Sequence, residues 1–230
     1  MDFQPLTVLF DFDDTLVDSR SARVAALGAA FSEFGIRRPT AHDFLFDIEG
    51  GQLEGALAEL EAKEGRRLDL FGHYRHAYWS KKPGLIRLYP GVRQLLAGLS
   101  RRGIKLGIVT QKARSFEIDG QKAGAQEELA ELGLGDVFPI VVGFEDVSNH
   151  KPHPESIRLA LRGLGARPEE TIVIGDSRAD IEAARAAGCR SCHATWGLLS
   201  DTPDLGDISA DLTAGTPADL LRQLLHRWEP

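Results

Sequence analysis

The chain has 230 residues, of which 43% are hydrophobic and 27% charged, a balance typical of a globular protein with one core and room for a smaller second domain. Its formal net charge of −7 argues against a nucleic-acid partner, because proteins that bind nucleic acid usually carry a basic excess. No apolar stretch approaches the roughly 18 residues of a membrane-spanning helix, and the first residues do not resemble a secretory signal. With only Cys189 and Cys192 to pair, we expect a reduced, cytoplasmic protein with no membrane partner.

The first predicted element is a strand over residues 6–10, a short run of apolar and β-branched side chains. About ninety residues separate it from the next run of this kind, far more than one strand-to-strand crossover requires. Apolar residues at helical spacing fill most of this interval, as in the series Leu27, Phe31 and Phe34. We therefore predict a small all-helical domain over residues 17–87, inserted into a core formed by residues 1–16 and 88–230.

The remaining predicted strands cover residues 104–110, 138–142, 171–174 and 190–195. Helical patterns lie between them and end at glycines, and Thr216-Pro217 is typical of the start of a last helix. The runs 6–10, 104–110 and 171–174 are nearly continuous in apolar residues, as in parallel strands covered on both faces. Strands alternating with helices predict an α/β fold with a Rossmann-like three-layer core around a parallel sheet.

Carboxylates follow two of these predicted strands. Asp11 and Asp13 come directly after the first, and Asp176 and Asp180 follow the run 171–174. Ligands of open α/β sheets bind beyond the carboxyl ends of the strands, so these acids would converge if the two strands are neighbours. A cluster of hard oxygen ligands without interleaved His or Cys suits Mg²⁺.

A hydroxyl and an ammonium complete this predicted site. Thr110 ends the second strand, and Lys151 precedes a predicted helix after the third. A transferring phosphoryl group needs positive charge and donors around its oxygens, which a divalent cation, a lysine and a hydroxyl would supply together. The site therefore favours an anionic, phosphorylated substrate in spite of the negative net charge of the chain.

The order of these residues resembles the four motifs of the haloacid-dehalogenase-like superfamily. The motifs are Asp11-x-Asp13-x-Thr15, then Thr110, then Lys151, then Gly175-Asp176-x₃-Asp180. The position of the helical insertion resembles members that carry a cap domain between the first two motifs. The segment Thr195-Trp196-Gly197 resembles the phosphoglycolate-phosphatase-like branch.

The resemblance implies a role for each acid. Asp11 would attack phosphorus and form an aspartyl phosphate, and Asp13 would protonate the leaving oxygen and then activate water. An oxygen of Asp11, the backbone carbonyl of Asp13 and the carboxylate of Asp176 would hold Mg²⁺. Asp180 would not bind the metal directly but would orient the metal's water shell or Lys151.

The resemblance further implies that Thr110, Gln111 and Lys151 bind the phosphate of a small phosphorylated metabolite. The expected activity is that of a Mg²⁺-dependent phosphatase, in a monomer or homodimer. A sugar-phosphate mutase and a catalytically silent, metabolite-binding or regulatory protein remain alternatives. Dehalogenation is disfavoured, since the dehalogenases of the family lack the acid at the position of Asp13.

Three features depart from the pattern of the family. Asp14 stands where many relatives carry Gly, which bears on the local turn. Residues 114–128 are longer than the usual helix after the second strand, so this segment is expected to rim the site or form an interface. Residues 48–51 resemble no known substrate loop.

Overall fold

The computed structural model describes residues 5–48, 53–81, 85–197 and 207–225. The chain forms two compact units, one of Met1–Asp18 with Leu88–Pro230 and the other of Ser19–Arg87. No helix in these described ranges is long and apolar enough to cross a membrane.

The strands of the described residues fall into three sheets. In chain order they are β1 (Thr7–Phe10), β2 (Val17–Asp18), β3 (Arg87–Leu88), β4 (Lys105–Val109), β5 (Phe116–Ile118), β6 (Gln121–Ala123), β7 (Ile140–Val142), β8 (Thr171–Gly175), β9 (Arg190–Ala194) and β10 (Leu212–Ala214). The helices are α1 (Arg20–Glu33), α2 (Ala41–Asp47), α3 (Leu53–Glu64), α4 (Leu70–Lys81), α5 (Val92–Ser100), α6 (Ala125–Glu131), α7 (Glu155–Leu164), α8 (Arg178–Ala187) and α9 (Pro217–Leu225).

The main sheet has six parallel strands in the order β10-β9-β8-β1-β4-β7. Strand β1 lies inside it, with Phe10 opposite Ile108 of β4 on one side and Ile174 of β8 on the other. The prediction of a Rossmann-like α/β fold with a parallel sheet is confirmed. The order of the strands places the carboxyl ends of β1, β4 and β8 side by side, which is the edge where such sheets bind ligands.

Both faces of the sheet are covered. Leu9 of β1 packs with residues of α7 and α8, such as Ile157 and Ala183, in one buried cluster. Val8 and Phe10 point to the opposite face, because side chains alternate along a strand, and they are fully buried as well. This burial explains the continuous apolar runs of the central strands.

Two strands differ from their predictions. The run 138–142 yields a strand only from Ile140, because Pro139 has no N–H to donate to the ladder. Strand β10 was not predicted; it pairs with β9 and ends at Ala214, just before the predicted start of the last helix. That helix does begin at Pro217, and the Thr216 hydroxyl accepts a hydrogen bond from the Asp219 N–H at 3.0 Å.

The unit Ser19–Arg87 contains α1 to α4 and has a hydrophobic core of its own. Leu27 and Phe31 of α1 are buried in it, as are Leu57 of α3 and Tyr78 of α4. Helix α2 was not predicted; the Thr40 hydroxyl caps its N-terminus by accepting from the Asp43 N–H at 3.1 Å. Of the segment 48–51 noted above, residues 49–51 lie outside the described residues.

Residues 114–128 do not simply lengthen a helix. They form the antiparallel hairpin β5–β6 and then enter α6. Asp119 and Gly120 make the turn with φ of 52° and 72°, the left-handed conformation that two-residue hairpin loops require. The hairpin therefore folds the extra residues back onto the loop that follows β4.

Candidate active site

Three predicted site residues follow the three adjacent central strands. The Asp11 N–H donates to the Ile174 carbonyl at 2.8 Å, so the pairing of β1 with β8 continues to Asp11. The Thr110 N–H donates to the Val142 carbonyl at 2.9 Å, and Asp176 directly follows β8. The sheet thus brings Asp11, Thr110 and Asp176 to one edge.

Asp14 adopts the left-handed conformation, with φ of 61°. Its N–H donates to the Val17 carbonyl at 2.8 Å, and the Leu16 N–H donates to the Phe12 carbonyl at 2.9 Å, which closes a tight turn after β1. Glycine is the usual residue in this conformation, but Asp tolerates it better than most others. The departure from Gly at this position therefore leaves the turn intact.

Lys151 is buried between two of the carboxylates. Its Nζ lies 2.6 Å from Asp11 Oδ1 and 2.5 Å from Asp180 Oδ1, and it also donates to the Val109 carbonyl at 3.2 Å. Burial alone would lower the pKa of the ammonium, but the charges of Asp11 and Asp180 outweigh it and raise that pKa above its ordinary value. Lys151 is therefore a fixed positive charge beside the proposed nucleophile.

Asp180 is held by the start of its own helix. Its Oδ2 accepts from the Ser177 hydroxyl at 2.6 Å and from the Ser177 N–H at 3.2 Å, while Ser177 caps α8. Gly175 makes room for it, since a Cβ there would lie 2.3 Å from the carboxyl carbon of Asp180. Both carboxylate oxygens of Asp180 therefore bind protein groups, while its supporting role stays a prediction.

Asp176 is fixed by the loop after β1. Its Oδ1 accepts from the Thr15 hydroxyl at 3.0 Å, and the Trp196 indole N–H donates to the Thr15 carbonyl at 2.8 Å. Burial raises the pKa of the Asp176 carboxyl well above its ordinary value, and the charges of Asp11 and Asp180 raise it further. The carboxylate therefore lies where negative charge is poorly compensated by the protein itself.

The acidic cluster fits a divalent cation. One carboxylate oxygen each of Asp11, Asp176 and Asp180 lies within 4.8 Å of the others. Burial raises the pKa of Asp11 from 3.8 to about 7; Lys151 opposes this rise, and Asp180 adds to it. Repulsion of this kind is relieved by a bound cation, and an all-oxygen set of donors is what Mg²⁺ prefers. The residues present therefore suit the predicted ion.

The other predicted residues lie close to this cluster in different roles. The carboxylate of Asp13 contacts the Lys112 ammonium at 3.0 Å. The Thr110 hydroxyl accepts from the Lys112 N–H at 3.1 Å, and the Gln111 side-chain amide donates to the Lys151 carbonyl at 3.4 Å. Phosphate binding by Thr110 and Gln111, like the chemical role of each acid, stays a prediction.

Two site residues were missed by the analysis of the sequence. Lys112 bridges Asp13 and Glu128, and the Glu128 side chain is almost completely buried. Lys112 stands two positions after Thr110, which was a local signal. Glu128 gave no such signal, because only the fold of the hairpin between the two residues brings it close to Lys112.

The raised pKa of Asp11 predicts that the metal-free protein becomes less stable as the pH rises from about 4 to about 7. Between its ordinary value of 3.8 and the folded value of about 7, the folded state retains a proton that the unfolded state has released. The stability that this proton confers is complete below the lower value and is lost as the pH passes upward through the higher one. Urea unfolding in EDTA should therefore show the wild type losing stability relative to Asp11→Asn as the pH rises. A difference between the two proteins that does not change with pH would contradict this.

Comparison with known proteins defines the class. Residues 8–194 match the model of the haloacid dehalogenase-like hydrolases. The chain is 34% identical over 200 residues to a phosphoglycolate phosphatase of Yersinia pseudotuberculosis, covering 83% of this chain and 81% of the relative. It is 31% identical over 195 residues to the pyrophosphatase PpaX of Bacillus pumilus, covering 85% of each chain.

The fold has close counterparts among solved structures. A predicted phosphoglycolate phosphatase from Haemophilus somnus superposes with a TM-score of 0.78 at 24% identity, covering 96% of this chain and 98% of that one. Fold, acidic site and relatives together define a hydrolase of the phosphatase class, as predicted. The chain belongs to the haloacid dehalogenase-like hydrolase family.

Proposed function

We propose that the chain is a Mg²⁺-dependent phosphatase that hydrolyses a small phosphate ester through an aspartyl phosphate on Asp11. The observation that carries this proposal is the position of Asp11, buried at the end of an inner strand and paired with the Lys151 ammonium at 2.6 Å. The relatives act on phosphoglycolate and pyrophosphate by name, which places small phosphorylated compounds first among the substrates to test.

In the first half of the proposed reaction, a carboxylate oxygen of Asp11 attacks phosphorus. The bond from phosphorus to the leaving oxygen breaks, and Asp13 gives that oxygen a proton. In the second half, Asp13 takes a proton from water and the water oxygen attacks the phosphorus of the aspartyl phosphate. The bond from phosphorus to the Asp11 oxygen breaks, which regenerates the Asp11 carboxylate and releases phosphate. Lys151 and the Thr110 hydroxyl bind phosphate oxygens in both halves and stabilise the charge that develops there.

The proposed metal ligands are an oxygen of Asp11, the Asp13 carbonyl and the carboxylate of Asp176. The ion would neutralise phosphate charge during transfer. Asp180 is proposed to support the site without binding the ion directly, because its two oxygens already bind Lys151 and Ser177. The Thr15 hydroxyl supports the Asp176 carboxylate in the same way.

We further propose that the helical unit Ser19–Arg87 acts as the cap domain that selects the substrate. Its insertion between β1 and β4, directly after the nucleophile strand, supports this assignment. A cytoplasmic location, and a monomer or homodimer as the functional form, stay predictions.

The test is phosphate release from a panel of phosphoglycolate, pyrophosphate, sugar phosphates and nucleotides, with Mg²⁺ and with EDTA. We expect release from at least one compound and a loss of at least about a hundredfold in EDTA that added Mg²⁺ reverses. Conversion of a sugar 1-phosphate to its 6-phosphate without phosphate release would instead identify a mutase. Ligand binding without turnover, by folded protein in Mg²⁺, would identify a silent binding protein.

A further inference from the structure

One ammonium bridges two carboxylates beside the proposed acid–base residue. Lys112 Nζ lies 3.0 Å from Asp13 Oδ1 and 2.7 Å from Glu128 Oε2. The exposed fractions of the three side chains are 10% for Lys112, 21% for Asp13 and 1% for Glu128. Lys112 therefore connects the buried carboxylate of Glu128 on α6 with the carboxylate of Asp13.

The lysine is fixed along its length. Its N–H donates to the Thr110 hydroxyl at 3.1 Å, and its carbonyl accepts from the Phe144 N–H at 2.9 Å. Its ammonium lies 5.1 Å from the centre of the buried Phe12 ring, within the range of a cation–π contact. A lysine held in this way presents its charge to Asp13 in one direction rather than sampling many rotamers.

The extra residues after β4 deliver Glu128 to this position. The Ala125 N–H donates to the Ala113 carbonyl at 2.9 Å, and the Gln126 N–H donates to the Arg114 carbonyl at 3.0 Å. Gly124 has φ of 149°, and a Cβ there would lie 2.4 Å from the Arg114 carbonyl oxygen. The hairpin thus returns the chain closely enough for the first turn of α6 to reach Lys112.

A buried carboxylate is costly unless a partner compensates it. Glu128 is 1% exposed, and its charge is compensated by the Lys112 ammonium, which also contacts the proposed acid–base residue Asp13. An anchoring role for Glu128 accounts for a buried acid at this place, and it also gives the 114–128 segment a function within the site.

We propose that Lys112, anchored by Glu128, is a positioning residue that holds the Asp13 carboxyl for proton transfer to the leaving oxygen. This inference rests on the proposed function. In the step concerned, the Asp11–phosphorus bond forms, the bond to the leaving oxygen breaks, and the proton moves from Asp13 to that oxygen. Lys112 exchanges no proton itself and acts only through Asp13.

The experiment compares kcat/KM for two leaving groups, using the fastest alkyl phosphate of the panel and p-nitrophenyl phosphate. Nitrophenolate leaves without a proton, whereas an alkoxide needs one, so a misplaced Asp13 should affect only the alkyl ester. We expect Lys112→Met to lower kcat/KM by about 10- to 100-fold for the alkyl phosphate and by less than about threefold for the aryl phosphate. Lys112→Arg should recover part of the loss.

The matched control is Lys105→Met at the other end of β4, where the ammonium binds the Leu164 and Gly165 carbonyls. It should leave both values unchanged. Glu128→Gln should lower the alkyl value selectively but less than Lys112→Met does, and the double variant should lose no more than Lys112→Met alone, because the two residues act in series. Thermal unfolding of each variant reports any loss of folded protein.

Equal losses for both esters in Lys112→Met would show that the lysine binds the phosphate directly and would overturn the proposal. Lowered thermal stability with both kcat/KM values intact would assign it a structural role and overturn it likewise. An inactive wild type would refute the phosphatase function itself, whereas an active wild type with an unchanged alkyl-to-aryl ratio in Lys112→Met would refute the positioning role alone.

Discussion

Asp11→Asn is expected to abolish phosphate release, with kcat falling by at least about four orders of magnitude. The amide cannot form the aspartyl phosphate, and the residual rate would come only from binding and from the charge of Lys151. The fold should persist, because the substitution keeps the shape of the side chain and removes one negative charge from a cluster in which the carboxylates of Asp11, Asp176 and Asp180 outnumber the Lys151 ammonium. The measurement is single-turnover phosphate release in saturating Mg²⁺, beside thermal unfolding.

The control for Asp11→Asn is Asp136→Asn, which makes the same chemical change at an exposed position on the loop before β7. It should turn over substrate at the wild-type rate. If a folded Asp11→Asn protein keeps more than about one part in a thousand of the activity, the nucleophile is another residue and the proposed mechanism is wrong.

Lys151→Met is expected to reduce both activity and stability. The variant leaves Asp11 and Asp180 without the ammonium that lies 2.6 and 2.5 Å from them. Removal of one partner from a buried ion pair costs about 3–5 kcal/mol, because the remaining charge is uncompensated. Activity should fall by about a thousandfold, since phosphate oxygens lose a fixed positive charge. Urea unfolding in EDTA and steady-state kinetics measure the two effects.

A second substitution separates charge from packing in this variant. Asp180→Asn in the Lys151→Met background removes one of the two carboxylates that have lost the ammonium, so the double variant should be more stable than Lys151→Met alone. Activity should not return, because the phosphate oxygens still lack the Lys151 ammonium. Stability of Lys151→Met equal to that of the wild type in EDTA would mean that the buried pair contributes no net stability.

The central strands and the principal acids were predictable from the sequence for a shared reason. Strands β1, β4 and β8 are buried on both faces, so their side chains are apolar almost without interruption. Parallel strands end at the same edge, so a carboxylate just after β1 and another just after β8 must lie close together once these strands pair. Local pattern and sheet geometry were therefore enough to predict that Asp11 and Asp176 lie close together.

The features that were missed depend on contacts between distant residues. Strand β10 has three residues and gains its place by pairing with β9, which no local pattern expresses. The turn Asp119-Gly120 is a hairpin signal, but the flanking strands have only three residues each, so it did not stand out. Lys112 looks like an ordinary loop lysine until the hairpin brings Glu128 to it across 16 positions of sequence.

The order of strands in the sheet has a consequence for vectorial synthesis on the ribosome. Strand β1 precedes the other described strands of this sheet in the chain, yet it lies between β4 and β8, and its pairing with β8 joins residues as distant as Phe10 and Ile174. At a translation rate of about 5–20 residues per second, β8 is synthesised roughly 10 to 30 s after β1. The contiguous unit Ser19–Arg87 emerges entirely within this interval and is free to fold first. Asp11, the proposed nucleophile, is thus translated before most of the residues that come to surround it.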